Sequence, residues 1–437
     1  MRFHPADLAR RMTPRAIYDL FAGDVIVRRF LLLSSGHAIS VLCGFASTVI
    51  MVRSLGPAGF GHIALALAIL NYGLVFSNFG ADLFAIRSTA QDRGRLTENL
   101  FLVSATRLLF GLAIAAAIVV SCLAGLWPEE AAWPIAISGL SIFAAAAYPL
   151  WAPQALEKVG VVAAFTIASQ LFFLVLVGAA AANDGDVAAF AWAKAVSDSA
   201  IAVVLFAFVL KNERIGAFMR PLRILPVFWR KAAPLGLSQI MRSLALGSDL
   251  VILSFLAPAA ALGLYAVAFR VFSMALSVSA MFFIVVLPIF SKRAGSGKPA
   301  LKDALSAMMR RNAPVVAVGV IAVSLAARPA LSLFFGEEFA GAAAALQVLM
   351  IAAGANFLNR GYRQVLLALG RNRDDFMSTA VGTACNLTAK LALIPFFGFM
   401  GAAFATLIGE VVLLLVQRTL AMRALNRSSS SSEAETT

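Results

Sequence analysis

Six basic residues stand inside stretches of the chain that are otherwise apolar: Arg107, Lys194, Arg242, Arg270, Arg360 and Lys390. A Lys or Arg at the centre of a bilayer costs about 2.5–3.5 kcal/mol on insertion scales, so such residues line wet cavities or meet partners. An Arg grips phosphate oxygens through two parallel N–H donors, whereas a Lys acts as a mobile point charge. Four acids accompany them: Asp82, Asp198, Asp249 and Glu410. Cations predominate, so the chemistry these residues suit is the holding of an anion. The acids suit ion pairing or the binding of a coupling cation.

Position separates the six. At 1.5 Å per residue, Arg242 lies about 15 Å into its helix and Arg270 at a similar depth from the other side, too deep for either to reach water by snorkelling. Both are expected to line a cavity and meet an anionic substrate, with Lys390 as a third cation. Asp249 is seven residues after Arg242 and shares its helical face; it either pairs with Arg270 or binds a coupling cation. Lys194 and Asp198 are four apart and suit an intrahelical salt bridge; Lys194 otherwise joins the substrate cations. Arg107 and Arg360 lie nearer helix ends, within snorkelling reach, and Arg107 is also a substrate candidate. Arg53, at a turn, could accept a phosphate or be structural. Asp82 is expected to pair with Arg87 or with a neighbour of Arg53. Glu410 is the leading site for a proton or sodium ion.

Other chemistries lack their residues. GSGK at 295–298 resembles a phosphate loop, but that pattern needs Gly at 292 and Ser or Thr at 299, where the chain has Lys292 and Pro299. His4, His37 and His62 are scattered, forming neither a metal site nor a triad. Cys43, Cys122 and Cys385 read as small buried hydrophobes. No cofactor, metal or enzymatic activity is expected. The net charge of +14 lies in short loops rather than in a basic folded domain, which argues against nucleic acid.

The elements that position these residues must be membrane-spanning. Apolar residues make up 61% of the 437 and charged ones 13%, against about 25% charged in a typical soluble domain. Twelve apolar helices are expected, near 31–52, 61–84, 99–124, 131–150, 160–182, 188–210, 232–256, 262–290, 311–327, 341–368, 376–397 and 400–422. The basic loops fall on one side, which places both termini in the cytoplasm. The expected organisation is a segment 1–30 with a short interfacial helix around Ile17, Leu20 and Phe21, a six-helix bundle 31–210, a basic linker 211–231, a second bundle 232–422 and a disordered serine-rich tail 423–437. An internal repeat supports two halves. VIMVRSLGPAG-FGHIALALA from Val49 matches VILSFLAPAAALGLYAVAFR from Val251, so that Pro57 corresponds to Pro258 and Gly61 to Gly263. The offset spans six helices, an even number, which relates the halves by a pseudo-twofold axis along the membrane normal.

Several segments, in their order, resemble the polysaccharide-type flippases of the multidrug/oligosaccharidyl-lipid/polysaccharide exporter superfamily. VRSLGPAGFGHIALALA at 52–68 resembles the family's turn after the first helix, and WAPQALEK at 151–158 its loop after the fourth. SDLVILSFLAPAAALGLYAVAFR at 248–270 is similar to the segment opening the second half. FFGEEFAGAAAALQVLM at 334–350 and NLTAKLALIPFFGFMGAAFATLIGE at 386–410 look like later helix pairs. The resemblance implies a bacterial inner-membrane flippase that carries a polyprenyl-pyrophosphate-linked oligosaccharide to the outer leaflet. Membrane lipid would be its surroundings, and a polysaccharide polymerase or export machinery a further partner. The family's cell-wall-precursor flippases usually have fourteen helices and a longer chain. A cation-coupled multidrug antiporter of the same superfamily is the alternative; it would need an acidic cavity.

Overall fold

A computed structural model describes residues 25–213, Ile215 and 221–426. The expected interfacial helix at Ile17, Leu20 and Phe21 lies outside them, as does the expected disordered tail 423–437 from Arg427 on; its residues 423–426 are instead helical, continuing the last helix. Every regular element among the described residues is helical, the arrangement that satisfies backbone donors and acceptors within each segment where no water is present.

The chain begins with α1 (Val25–Asn78) and α2 (Ala81–Gln91), then α3 (Leu96–Leu123), α4 (Glu129–Ser138), α5 (Leu140–Ala146) and α6 (Trp151–Ala155). There follow α7 (Val159–Ala182), α8 (Val187–Asn212), α9 (Pro221–Leu256), α10 (Ala259–Gly295), α11 (Lys298–Phe335), α12 (Ala343–Ala368) and α13 (Asn372–Asn426). Eight helical stretches among the described residues are long and apolar enough to cross a membrane. Two of them, in α1 and α13, are each divided by a kink: Gly56 at φ 64° and Gly398 at φ 55° break the helix in a region that glycine tolerates. Pro57, whose fixed φ suits a first helical position, restarts the helix after Gly56. The expected spans 131–150 and 232–256 are less regular. The first is split into α4 and α5 and unwinds before Trp151. The second lies on α9, which starts at Pro221 and carries Pro226 and Pro234 within it. The second expected span also breaks early, at Phe79 and Gly80, both with positive φ.

Three apolar cores show how the helices are assembled. One joins both halves of the chain near the Gly56 turn, where Val52, Ile63 and Leu65 of α1 pack with Tyr265 and Phe272 of α10 and Leu346 and Leu349 of α12. Two separate cores lie toward the opposite end. Leu100, Trp151 and Leu205 belong to one, with Phe228 at the start of α9 docked on it. Phe283, Leu301, Val365 and Leu425 belong to the other. The molecule is fused at the turn end; toward the far end the start of α9 stays docked on the first half, with Gly236 against Phe79 and Gly80 and Trp229 donating to Thr106, while the core of Phe283, Leu301, Val365 and Leu425 is separate from it. Aliphatic side chains such as Val203, Val315, Val318 and Leu325 point outward, 64–79% exposed, as a lipid-facing surface requires.

The repeated segments meet each other. A Cβ on Gly61 would strike the carbonyl oxygen of Ala259, and one on Gly263 would strike that of Pro57. The two matching glycines therefore let the two matching turns come into backbone contact.

Candidate functional site

A cavity of roughly 300 Å³ lies between the first half of the chain and α9–α10. Thr48, Asn71 and Tyr72 of α1 line one wall, and Asp249, Tyr265 and Arg270 the other. Arg270 is the feature that sets its charge. No carboxylate among the described residues lies within ion-pairing distance of it, and its buried Nε has no hydrogen-bond partner. Gly44 makes room for the guanidinium: a Cβ there would collide with Nη2, with Gln170 Oε1 close by.

Asp249, expected to pair with Arg270 or hold a cation, instead pairs with Lys390 at 2.6 Å. Tyr265 donates a 2.7 Å hydrogen bond to its other oxygen. Lys390 is wholly inaccessible and also donates to Ser248 Oγ at 3.0 Å. It therefore ties α13 to α9 and is not presented to the cavity as a third cation. A buried pair of this kind is self-compensating, each charge justifying the other.

The expectation that Arg107 snorkels is overturned. It is 7% exposed and donates to Asp82 at 2.5 Å, to Asn78 Oδ1 at 3.2 Å and to the carbonyls of Ala145 and Tyr148 at 2.7 and 2.9 Å. The Ala145 carbonyl already accepts the backbone N–H of Tyr148, and the Tyr148 carbonyl lies just beyond the end of α5, so Arg107 braces the break after α5 as well as pairing with Asp82. Asp82 thus pairs with Arg107, not with Arg87 or a neighbour of Arg53. The pair borders a second cavity of roughly 410 Å³, with Gln239 of α9 on its wall. Lys194 and Asp198 form the i,i+4 bridge at 2.6 Å, with Lys194 over the Phe173 ring. Arg53 donates to the carbonyls of Leu333 and Phe334, at the C-terminal end of α11, where a cation completes unsatisfied acceptors and meets the negative end of the helix dipole.

A third, smaller pocket of roughly 140 Å³ sits between α12 and the two limbs of α13. Glu410 lies there, 8% exposed, accepting from Asn356 Nδ2 at 3.0 Å and from Asn359 Nδ2 at 3.2 Å. Arg360 donates to Asn356 Oδ1 at 2.8 Å, so it too has a partner short of the helix end. Arg242 falls within α9, but its side chain lies outside the described residues. Cys43, Cys122 and Cys385 are free and half-buried rather than fully buried. Among the described residues no cluster of three His, Cys, Asp or Glu could hold a metal.

Residues 26–293 match the family described as polysaccharide biosynthesis protein, well over half of the chain. The chain belongs to that family. Its fold is that of solved membrane transporters, two of them described as members of the MOP superfamily. An inward-facing multidrug-resistance transporter of the MATE family is similar with a TM-score of 0.73 at 16% identity, over 90% of this chain and 96% of that one. The lipid II flippase MurJ in an inward closed conformation gives 0.71 at 15% identity, over 90% of this chain and 87% of that one. An outward-facing MATE transporter gives 0.57 at 16% identity, over 92% and 95%. At equal identity the arrangement is more like the inward-facing MATE structure, in keeping with cores joined at one end and parted at the other. No curated protein matches the sequence.

In this polysaccharide biosynthesis protein, then, the structure brings Asp249 and Lys390 together, Asp82 and Arg107 together, and places Arg270 on the cavity wall with no ion-pair partner among the described residues. Tyr265, Gln170, Asn356, Asn359 and Asn386 do not stand out from the sequence as charged residues do. The available signal was their polarity inside apolar stretches, and the spacing of Asn356 to Asn359 and of Asn386 to Lys390, which stacks each pair on one helix face.

Proposed function

We propose that this polysaccharide biosynthesis protein is a flippase rather than an enzyme. It would carry a polyprenyl-pyrophosphate-linked oligosaccharide from the inner to the outer leaflet, for a surface polysaccharide such as lipopolysaccharide O-antigen, exopolysaccharide or capsule. On this reading the chain crosses a bacterial inner membrane twelve times, the eight apolar stretches being supplemented by the two kinks, by α4–α5 and by α9. Two six-helix bundles, 31–210 and 232–422, are related by a pseudo-twofold axis through the Gly61–Gly263 contact. Both termini face the cytoplasm, as the basic loops require.

The observation that carries the reading is Arg270: a cation with no carboxylate partner among the described residues, on the wall of a cavity between the halves. Asp249, the acid facing the same cavity, is already neutralised by Lys390. The net field there is positive and suits a pyrophosphate, while the polyprenyl chain stays in lipid. Arg242, on the same helix as Asp249, would be the second phosphate ligand. Membrane potential contributes about 2.3 kcal/mol per charge per 100 mV, in the direction that drives an anion outward from an inside-negative cell. A multidrug antiporter would need an unpaired acid in this cavity for its cationic cargo; Asp249 does not supply one.

The test is lipid-linked oligosaccharide translocation in proteoliposomes, with folding followed by size-exclusion chromatography. Arg270→Ala should lower the rate at least about tenfold, the equivalent of one lost charge-assisted contact. Arg270→Lys should retain a fraction. Undiminished transport by a well-folded Arg270→Ala/Arg242→Ala double variant sinks the reading, and export of a toxic cation would favour the antiporter.

A further inference from the structure

The cavity beside Asp82 and Arg107 follows the Arg270 cavity along the same two helices. On α1, Tyr72 lines the first and Asn78 the second; on α9, in reversed chain order, Asp249 lines the first and Gln239 the second. At 1.5 Å per residue, Tyr72 and Asn78 are about 9 Å apart along α1. A headgroup held at Arg270 therefore reaches the second cavity as soon as it is longer than a pyrophosphate.

The two cavities differ in charge. Arg270 has no carboxylate at ion-pairing distance among the described residues, so the first suits an anion. In the second, the one acid and the one base on the wall are spent on each other, Asp82 with Arg107 at 2.5 Å. Asp82 is the more exposed of the pair, its side chain at 28% against 9%. An anion entering here meets the acid first, and a cation finds that acid already paired.

The polar capacity left over belongs to neutral groups. Gln239 makes no side-chain hydrogen bond among the described residues. Asn78 gives its Oδ1 to Arg107 Nε and keeps its Nδ2 donors. An amide such as Gln239 offers donor and acceptor side by side, which matches hydroxyl groups that do both. Tyr148 joins the wall, and Leu74, Val75 and Ala145 make the rest of it apolar. Paired charges, free amides and apolar surface together complement a ring that carries several hydroxyls, apolar C–H faces and no charge. The volume of roughly 410 Å³ lies in the range of small-ligand sites.

We propose that this second cavity is a subsite for an uncharged sugar, the one joined directly to the pyrophosphate. The inference rests on the reading of Arg270 as phosphate ligand. Gln239 and Asn78 bind the sugar's hydroxyl or acetamido groups, and Asp82 rejects a uronic acid in the same place. The headgroup then lies along α1 and α9, its phosphates beside Arg270 and its first sugar beside Gln239.

Native mass spectrometry of the full chain in nanodiscs tests it, with five probes: bare undecaprenyl pyrophosphate and the same carrier bearing glucose, galactose, N-acetylglucosamine or glucuronic acid. Wild type should bind at least one neutral glycosylated carrier about tenfold or more tighter than the bare one, and the glucuronate carrier no tighter than the bare one. Gln239→Ala, and more strongly Gln239→Ala/Asn78→Ala, should bring that ratio toward one. Arg270→Ala should weaken every carrier and preserve the ratio. Equal affinity of wild type for the bare and all neutral carriers overturns the subsite. So does preferred binding of the glucuronate carrier, or a ratio that survives in a well-folded Gln239→Ala/Asn78→Ala. Should that double variant fail to fold, Gln239→Ala alone decides by the same ratio. If Arg270→Ala binds every carrier as wild type does while the ratio persists, the phosphate reading fails and the sugar subsite stands.

Discussion

Arg270 and Lys390 are both cations in apolar helices, and they end in opposite states. Lys390 is sealed against Asp249 and Ser248, whereas Arg270 borders open space with no carboxylate in ion-pairing distance among the described residues. The difference has a measurable consequence. Lys390→Met leaves Asp249 charged, buried and unpaired, and should destabilise the fold by about 3–5 kcal/mol. The double variant Lys390→Met/Asp249→Asn removes the orphan and should recover most of the loss. Thermal unfolding in detergent checks both. If the single and double variants fell equally, the pair would not be the self-compensating unit described. Arg107→Ala should behave like Lys390→Met, since it strands Asp82 and takes a donor from the Tyr148 carbonyl. Neither effect is an effect on substrate.

At the scale of elements, the turn end is a seam made by glycine. Gly61 and Gly263 bring the repeated turns into backbone contact, and Arg53 reaches across to the last turn of α11. Phe45 adds edge-to-face contacts with Phe334 and Phe335. A side chain at Gly61 must push the two backbones apart. Gly61→Val should open the turn end and expose the cavity from that side, which labelling of a cysteine introduced by Thr48→Cys would report. Arg53→Ala should have the same direction and a smaller effect, because it removes a tie without inserting a wedge. Labelling unchanged in Gly61→Val would mean that the seam is not a closure.

For the whole molecule, one core joins the halves at the turn end and two cores stand apart at the other. A rocking motion needs this division: packed cores move as bodies, and motion concentrates where packing is thin. Spin labels at Lys211 and Asp303, near the ends of the two separate cores, should show a long distance in wild type. Gly61→Val should shift the population toward a shorter one; an unshifted distribution would separate the seam from the motion. Orientation has its own check. A fluorescent reporter after Thr437 should glow, and a phosphatase inserted after Asp184 should be active, if the basic loops face the cytoplasm.

Much of the fold was legible in order along the chain. Apolar runs, basic loops and the Gly-Pro punctuation are local, and a bilayer turns a long apolar run into a helix because only a helix satisfies its backbone within a single segment there. The Lys194–Asp198 bridge was legible for the same reason, since helix geometry alone sets an i,i+4 pair. The partners of Asp249, Asp82 and Arg107 were not. They come from other helices, at separations of 141, 25 and 38–41 residues, and one-dimensional depth places a charge along the membrane normal without saying which neighbour faces it. The sequence by itself determined a helical membrane protein that carries an internal repeat and basic residues within its apolar stretches. Only the tertiary structure decided that most of that interior charge is spent on helix contacts, leaving Arg270 at the cavity and Glu410 between Asn356 and Asn359. Pairing depends on which helix faces meet, and that is decided by packing.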